Sequence, residues 1–201
     1  LLNHLIAKSD SANGVKYAND ALYLADRMIA AQPTLKKILL TKKATTYRNL
    51  SALYNRSVDK TNAIDCLGKA ITVLQQTNNK KHLYEAYDEL ALIYTFIGDV
   101  PNALDFFSKS LKLAEELRDT PAIASLTNDI GFVYGTNGEA DASLLQHKKA
   151  MELFSAIGDE VGLSSTLNNV GMQYYKEKDF VSAEKYFLQS LAIREKLNLK
   201  P

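Results

Sequence analysis

Apolar and polar positions along this chain follow two helical rhythms nested inside a longer one of 40 residues. Leu50, Leu90, Ile130 and Val170 fall one long period apart, and so do Tyr54, Tyr94, Tyr134 and Tyr174. Each period holds two amphipathic helical patterns joined by a short polar turn. In the period that begins at Lys81, the first helix is predicted over about 81–97 and the second over about 101–117, with Gly98 and Asp99 in the turn. A fixed period of this size marks stacked helix pairs, none of which can bury its apolar face alone. The chain is therefore read as one array over 1–201: a partial repeat at 1–31, an insertion with an extended helix at 32–40, and repeats at 41–80, 81–120, 121–160 and 161–201.

The partial repeat rests on an altered spacing. Asn13, Val15, Ala21, Leu22 and Leu24 line up with Asn62, Ile64, Ala70, Ile71 and Val73 at an offset of 49, which would match Leu1 and Leu5 to Leu50 and Tyr54. The extra nine residues fall around Ala31 to Leu40. There Pro33 suits a helix start, and Leu35, Ile38, Leu39 and Leu40 lengthen the apolar stripe, predicting an extended helix from about Thr34 to Tyr54.

Small residues recur at fixed heights. Ser51, Ala91, Gly131 and Gly171 sit mid-helix, where a glycine costs about 1 kcal/mol relative to alanine. Something must need the space. The second helices offer Ala63, Ala103, Ser143 and Ala183, then Ala70, Ser110, Ala150 and Ser190, so paired helices can approach closely and antiparallel. Large residues fill what remains: the periodic tyrosines from the first helices, with Leu67, Phe107, His147 and Phe187 from the second. Phe187→Ala should lower stability by about 3–5 kcal/mol if that ring is fully buried. Asp59, Asp99, Glu139 and Asp179 also recur, each just before a second helix, where capping a helix N-terminus explains them without chemistry.

Along one unit, Leu167, Val170, Gly171, Tyr174, Ala183, Phe187 and Ser190 match in order the seven packing positions of the tetratricopeptide repeat. The chain thus resembles that family over about 150 residues, in the long 40-residue form found in bacterial signalling proteins. Lys178 departs by replacing the turn glycine, Thr127 a large first-helix residue, and His147 an aromatic. The resemblance implies an all-α fold, a right-handed α-α superhelix of antiparallel helix pairs whose concave wall is formed by the first helices. It also implies that a peptide or helix binds on that wall, at Arg48, Asn55, Asp88, Leu92, Thr95, Asn128, Phe132, Asn168, Met172 and Tyr175. Ala52, Arg56, Phe96, Gly135, Thr136 and Lys176 match the same wall. Leu92, Phe132 and Met172 would form an apolar row, exposed as a binding groove or closed over by the long helices. Chaperone-binding members hold a terminal carboxylate with a Lys and an Asn on one first helix. Here Asn128 with Phe132 and Asn168 with Met172 lack that pairing.

Composition narrows the rest. Lys and Arg total 24 against 23 Asp and Glu, so overall charge gives no reason to expect nucleic acid or membrane contact by this segment. No stretch approaches the roughly 20 consecutive apolar residues of a membrane span. Cys66 is the one cysteine, which excludes an internal disulfide and leaves the compartment, cytoplasmic or periplasmic, open. No nucleophile constellation, phosphate loop or metal-spaced cluster is present in the sequence, so no catalytic residue, cofactor or metal is expected. His4, His82 and His147 belong to different units; His147 is read as a packed, hydrogen-bonded imidazole, and Cys66 as an inert helix residue.

The expected function is a non-enzymatic interaction scaffold with a protein or peptide partner. By family analogy it belongs to a larger bacterial signalling protein such as a sensor histidine kinase. The start at Leu-Leu-Asn, without an initiator Met, and the end directly after a helical repeat lead us to expect a piece of a longer protein. Two alternatives stand beside this: a peptide-regulated phosphatase of response regulators, and a homo-oligomer formed through terminal helices near Tyr186 to Leu197.

Overall fold

The computed structural model describes residues 11–198. Among them the chain forms helices α1 (Ser11–Ala31), α2 (Lys36–Arg56), α3 (Lys60–Gln75), α4 (Lys80–Ile97), α5 (Val100–Leu117), α6 (Thr120–Thr136), α7 (Ala140–Ile157), α8 (Glu160–Lys176) and α9 (Phe180–Lys196), with a single 3-10 turn at Pro33–Leu35. Leu1, His4 and Leu5 lie outside the described residues. The helices fall into two compact units, Leu1–Asp99 and Val100–Pro201. In the first, α1 packs on α2, α2 on α3 and α3 on α4, with a further contact between α2 and α4. In the second, each of α5 to α9 packs on the next, and α6 also touches α8.

The two long-period helices starting near Lys81 appear within a residue of their predicted bounds, as α4 and α5. The insertion is resolved into two parts. The 3-10 turn uses Pro33 at its start, and α2 then runs 21 residues to Arg56. In α1 the least exposed described residues are Gly14, Ala18 and Ala25, which at the offset of 49 match the buried Ala63, Leu67 and Leu74 of α3. The early helix is therefore built on the same face as a second-type helix, with smaller residues.

The small residues do what close approach requires. All eight small second-helix positions are buried, and so are Ser51, Ala91, Gly131 and Gly171. A Cβ at Gly131 would stand 2.9 Å from Cε1 of His147, and one at Gly171 would stand 2.7 Å from the ring of Phe187. The ring of each second helix thus seats against a first-helix backbone that has no side chain there. The periodic tyrosines Tyr54, Tyr94, Tyr134 and Tyr174 are half-buried. Tyr54 packs beside Ala18, Leu50, Leu53 and Cys66, and Tyr174 stacks on Tyr186 at 5.5 Å. Phe187 is half-buried as well, whereas Phe107 is fully enclosed.

Caps follow the period on both helix types. Asp59 accepts from the backbone N–H of Asn62 at 3.1 Å and Asp179 from that of Ser182 at 3.0 Å. Glu139 is an exception: its longer side chain takes the amide of Asn137 at 2.6 Å and accepts no cap bond. A second set precedes the first helices, where Asn79, Asp119 and Asp159 accept from the N–H of His82, Ala122 and Gly162. These three also lie 40 residues apart, a signal present in the sequence but masked by the more obvious acids.

The turn between paired helices needs a left-handed residue. Gly98 and Gly138 supply it at φ 78° and 84°, but Val58 and Lys178 occupy the same position at φ 63°. A β-branched residue is a steric outlier there. Val58 is 72% exposed, so it gains nothing from packing that would offset the strain. Val58→Gly should raise the unfolding free energy by about 0.5–1 kcal/mol, the strain relieved less the extra chain entropy of glycine. Urea denaturation would read this directly, and a less stable variant would show that the turn is not strained.

Candidate functional site

Adjacent first helices are tied by polar bridges at one repeated pair of positions. In the first unit Arg48 on α2 reaches α4, where its Nη1 donates to Glu85 at 2.7 Å and its Nη2 to Glu89 at 2.5 Å. Its Nε also donates to both oxygens of Glu89 at 3.1 Å. Desolvation opposes the guanidinium charge, but these two carboxylates prevail and hold its pKa above the ordinary value. In the second unit the equivalent residues, 80 positions on, are Asn128 on α6 and Asn169 on α8, whose amides meet at 3.1 Å. The same two positions carry an ion pair in one unit and an amide pair in the other. Lower on α8, Lys176 donates to the carbonyl of Gly135 at 3.1 Å.

Asn128 is also the centre of a small network that joins the buried His147 to the half-buried Asp129. Its Oδ1 lies 3.1 Å from Nδ1 of His147, and its Nδ2 donates to Asp129 at 3.4 Å. The amide oxygen can only accept, so the tautomer that fits this contact carries its proton on Nδ1 of His147. Burial pushes the His147 pKa down to about 4 and that of Asp129 up to about 6, the latter against the lowering effect of the Asn128 hydrogen bond. The packed, hydrogen-bonded histidine expected from sequence is what the structure holds. Asp129 is half-buried, and nothing in the sequence distinguishes it from other helix acids. Cys66 is buried, and burial with the nearby Asp65 raises its thiol to about 11, far from a reactive thiolate.

In each unit the first helices also present exposed side chains. Leu92, Phe132 and Met172 are 46%, 47% and 44% exposed, while the next residues Ile93, Val133 and Gln173 are buried. Leu92, Phe132 and Met172 are each open to solvent within their own unit. In the first unit Leu92 and Phe96 line a pocket of 410 Å³ with Ala52, Asn55 and the Arg48–Glu89 pair. Lys60 stands at its edge, 4.1 Å above the ring of Phe96, and donates to Asn55. The Thr95 hydroxyl donates to the Ala91 carbonyl of its own helix, and Thr95 and Asp88 are both half-buried. In the second unit Asn168 is exposed and lines a pocket of 430 Å³ with Ser165, Asn169 and Arg194. Tyr175, 54% exposed, meets the edge of Phe180. Tyr175 and Phe180 line, with Phe187, Leu188 and Leu191, an apolar pocket of 450 Å³. Gly135 and Gln173, by contrast, are buried. Among the described residues no cluster of three or more His, Cys, Asp and Glu could hold a metal, and no helix is long and apolar enough to cross a membrane.

Residues 122–196 match the tetratricopeptide repeat family. That stretch is built of tetratricopeptide repeats, and the helix pairs before it share the same fold. Solved structures agree on the fold: BtubC (BKLC) from P. vanneervenii is 21% identical, with a TM-score of 0.78 over 94% of this chain and 75% of that one. Aspartyl phosphate phosphatase F from Bacillus subtilis is 16% identical with a TM-score of 0.75, and a Rap protein complexed with competence and sporulation factor is 15% identical with 0.69. Both alignments cover 98% of this chain, which spans 52% of the phosphatase and 64% of the Rap protein. No match is found among curated proteins. A tetratricopeptide array of antiparallel helix pairs is an interaction architecture, with protein or peptide as the class of partner.

Proposed function

We propose that this chain is a non-enzymatic interaction module that binds a peptide or helix on its first helices, as the repeat region of a larger bacterial signalling protein. The observation that carries this reading is the exposure of Leu92, Phe132 and Met172 at one repeat position, beside residues that are buried. Apolar side chains left open at a fixed height, beside amides that can pair with a peptide backbone, suit an extended or helical ligand. Asn55, Asn168 and Tyr175 are the exposed contacts, Asp88 and Thr95 support them from half-buried positions, and Arg48 and Asn128 brace adjacent first helices. The peptide factor bound by a structurally similar Rap protein is consistent with this class of ligand.

A random peptide library displayed on phage tests the module. The chain should enrich peptides with regularly spaced apolar residues, and Leu92→Glu or Phe132→Glu should weaken the selected peptides at least ~10-fold, the worth of one desolvated apolar anchor. Helicity should be unchanged in both variants. If the variants bind as the parent does, the exposed row is not the site; if they unfold, it is core.

A second reading, a peptide-regulated phosphatase of response regulators, draws support from the likeness to aspartyl phosphate phosphatase F, of which this chain spans about half. Release of phosphate from an aspartyl-phosphorylated receiver domain by this chain alone would favour it over the scaffold.

A further inference from the structure

The near-zero net charge of the chain conceals a segregated one. From Arg27 to Val58 there are seven cations, Arg27, Lys36, Lys37, Lys42, Lys43, Arg48 and Arg56, and no Asp or Glu. Some are used internally: Lys43 pairs with Asp26 at 2.6 Å, Arg48 with Glu85 and Glu89, and Arg27 sits over the ring of Tyr23 at 5.8 Å. Lys36, Lys37 and Lys42 are exposed at the start of α2, where it leaves the 3-10 turn. Apolar side chains stand among them. Met28 is 42% exposed, Leu35 37% and Ile38 57%.

Topology places all six residues at one end of the α1–α2 hairpin. Every residue from Ala31 to Ile38 is exposed, and the 3-10 turn buries none of its own. This elbow is the insertion that interrupts the 40-residue period, so packing between repeats does not account for its apolar content. We propose that it docks on an anionic lipid surface, with Met28, Leu35 and Ile38 entering the headgroup boundary and Lys36, Lys37 and Lys42 meeting the lipid charges. Lysines with aliphatic stems beside isolated apolar side chains suit an interface that is wet on one side and apolar on the other. Nucleic acid would use the lysines but gain nothing from Ile38 and Leu35. An acidic protein segment would be expected to seat in a groove, and a run of eight exposed residues forms none. Each lysine near a charged leaflet strengthens binding about five-fold, and the attraction fades with salt.

Co-sedimentation of the chain with vesicles tests this, using phosphatidylcholine alone and phosphatidylcholine carrying about 30% phosphatidylserine. The chain should pellet with the anionic vesicles and stay in solution with the neutral ones. Lys36→Glu/Lys37→Glu/Lys42→Glu should lower binding by at least ~100-fold, and Leu35→Ser/Ile38→Ser by about 10-fold, with unchanged helicity. Lys148→Glu/Lys149→Glu, at exposed positions on α7, should leave binding as it was. Failure to pellet with anionic vesicles, equal pelleting with neutral ones, or full binding by the triple charge reversal would overturn the proposal. So would binding to polyglutamate in place of vesicles, abolished by the same three changes, which would assign the elbow to an acidic protein.

Discussion

Phe107→Ala is expected to lower the unfolding free energy by about 3–5 kcal/mol, while Phe187→Ala, at the same repeat position, should cost roughly half as much. Phe107 has no exposed surface, so removing its ring leaves a cavity as well as losing the transfer of an aromatic side chain from water. Phe187 is half-buried: water fills the space its ring vacates, and only part of the transfer term is lost. Urea denaturation of both variants at low protein concentration makes the comparison. Equal losses would mean that Phe187 is covered in solution by something else. Repeating the measurement at higher concentration identifies a second copy of the chain as that cover if the Phe187 penalty grows. Phe180, Leu188 and Leu191, which are 59%, 57% and 39% exposed beside it, are the surface such a copy would use.

What could be read in the sequence is what the period imposes. Helix positions, the small residues at Gly131 and Gly171, the cap at Asp59 and the left-handed turn at Gly98 each follow from one unit being stacked on a near copy of itself. A property shared by all units shows up as a column of similar residues. The bridges between first helices share no residue type. Arg48 with Glu89 and Asn128 with Asn169 use the same two positions, 41 residues apart, but one pair is ionic and the other is amide to amide. Compared column by column, Arg48 and Asn128 look like variable surface residues. Only the pairing explains why each is there. The tyrosine column marks packing positions, but its uniformity does not tell how deep they lie, and all four are half-buried. A large aromatic with a polar tip can be retained at a position for its apolar body while its hydroxyl stays in water.

Asp129→Asn should stabilise the chain at pH 7 by up to about 3 kcal/mol, and it should also give stability a pH dependence that the parent lacks. Burial lifts the folded pKa of Asp129 from 3.8 to about 6. Between those values the folded state binds more protons than the unfolded one, so this group's contribution is full below about pH 4 and is lost as pH rises through 6. His147 works in the other direction. Its folded pKa is lowered from 6.5 to about 4, so its contribution is full above pH 6.5 and is lost as pH falls through 4. Each shift is worth about 3 kcal/mol across nearly the same window, and the two cancel. Both groups hydrogen-bond to Asn128, His147 through Nδ1 and Asp129 through Oδ1, so one amide holds a neutral base and an acid reluctant to ionise. Urea midpoints at several pH values from 4.5 to 7.5 should therefore be nearly level in the parent. They should rise with pH in Asp129→Asn, where only His147 titrates. In His147→Gln, which keeps a donor for Asn128 without a titrating ring, they should fall with pH. If Asp129→Asn follows the parent at every pH, Asp129 is not protonated in the fold, and the level profile must come from other groups.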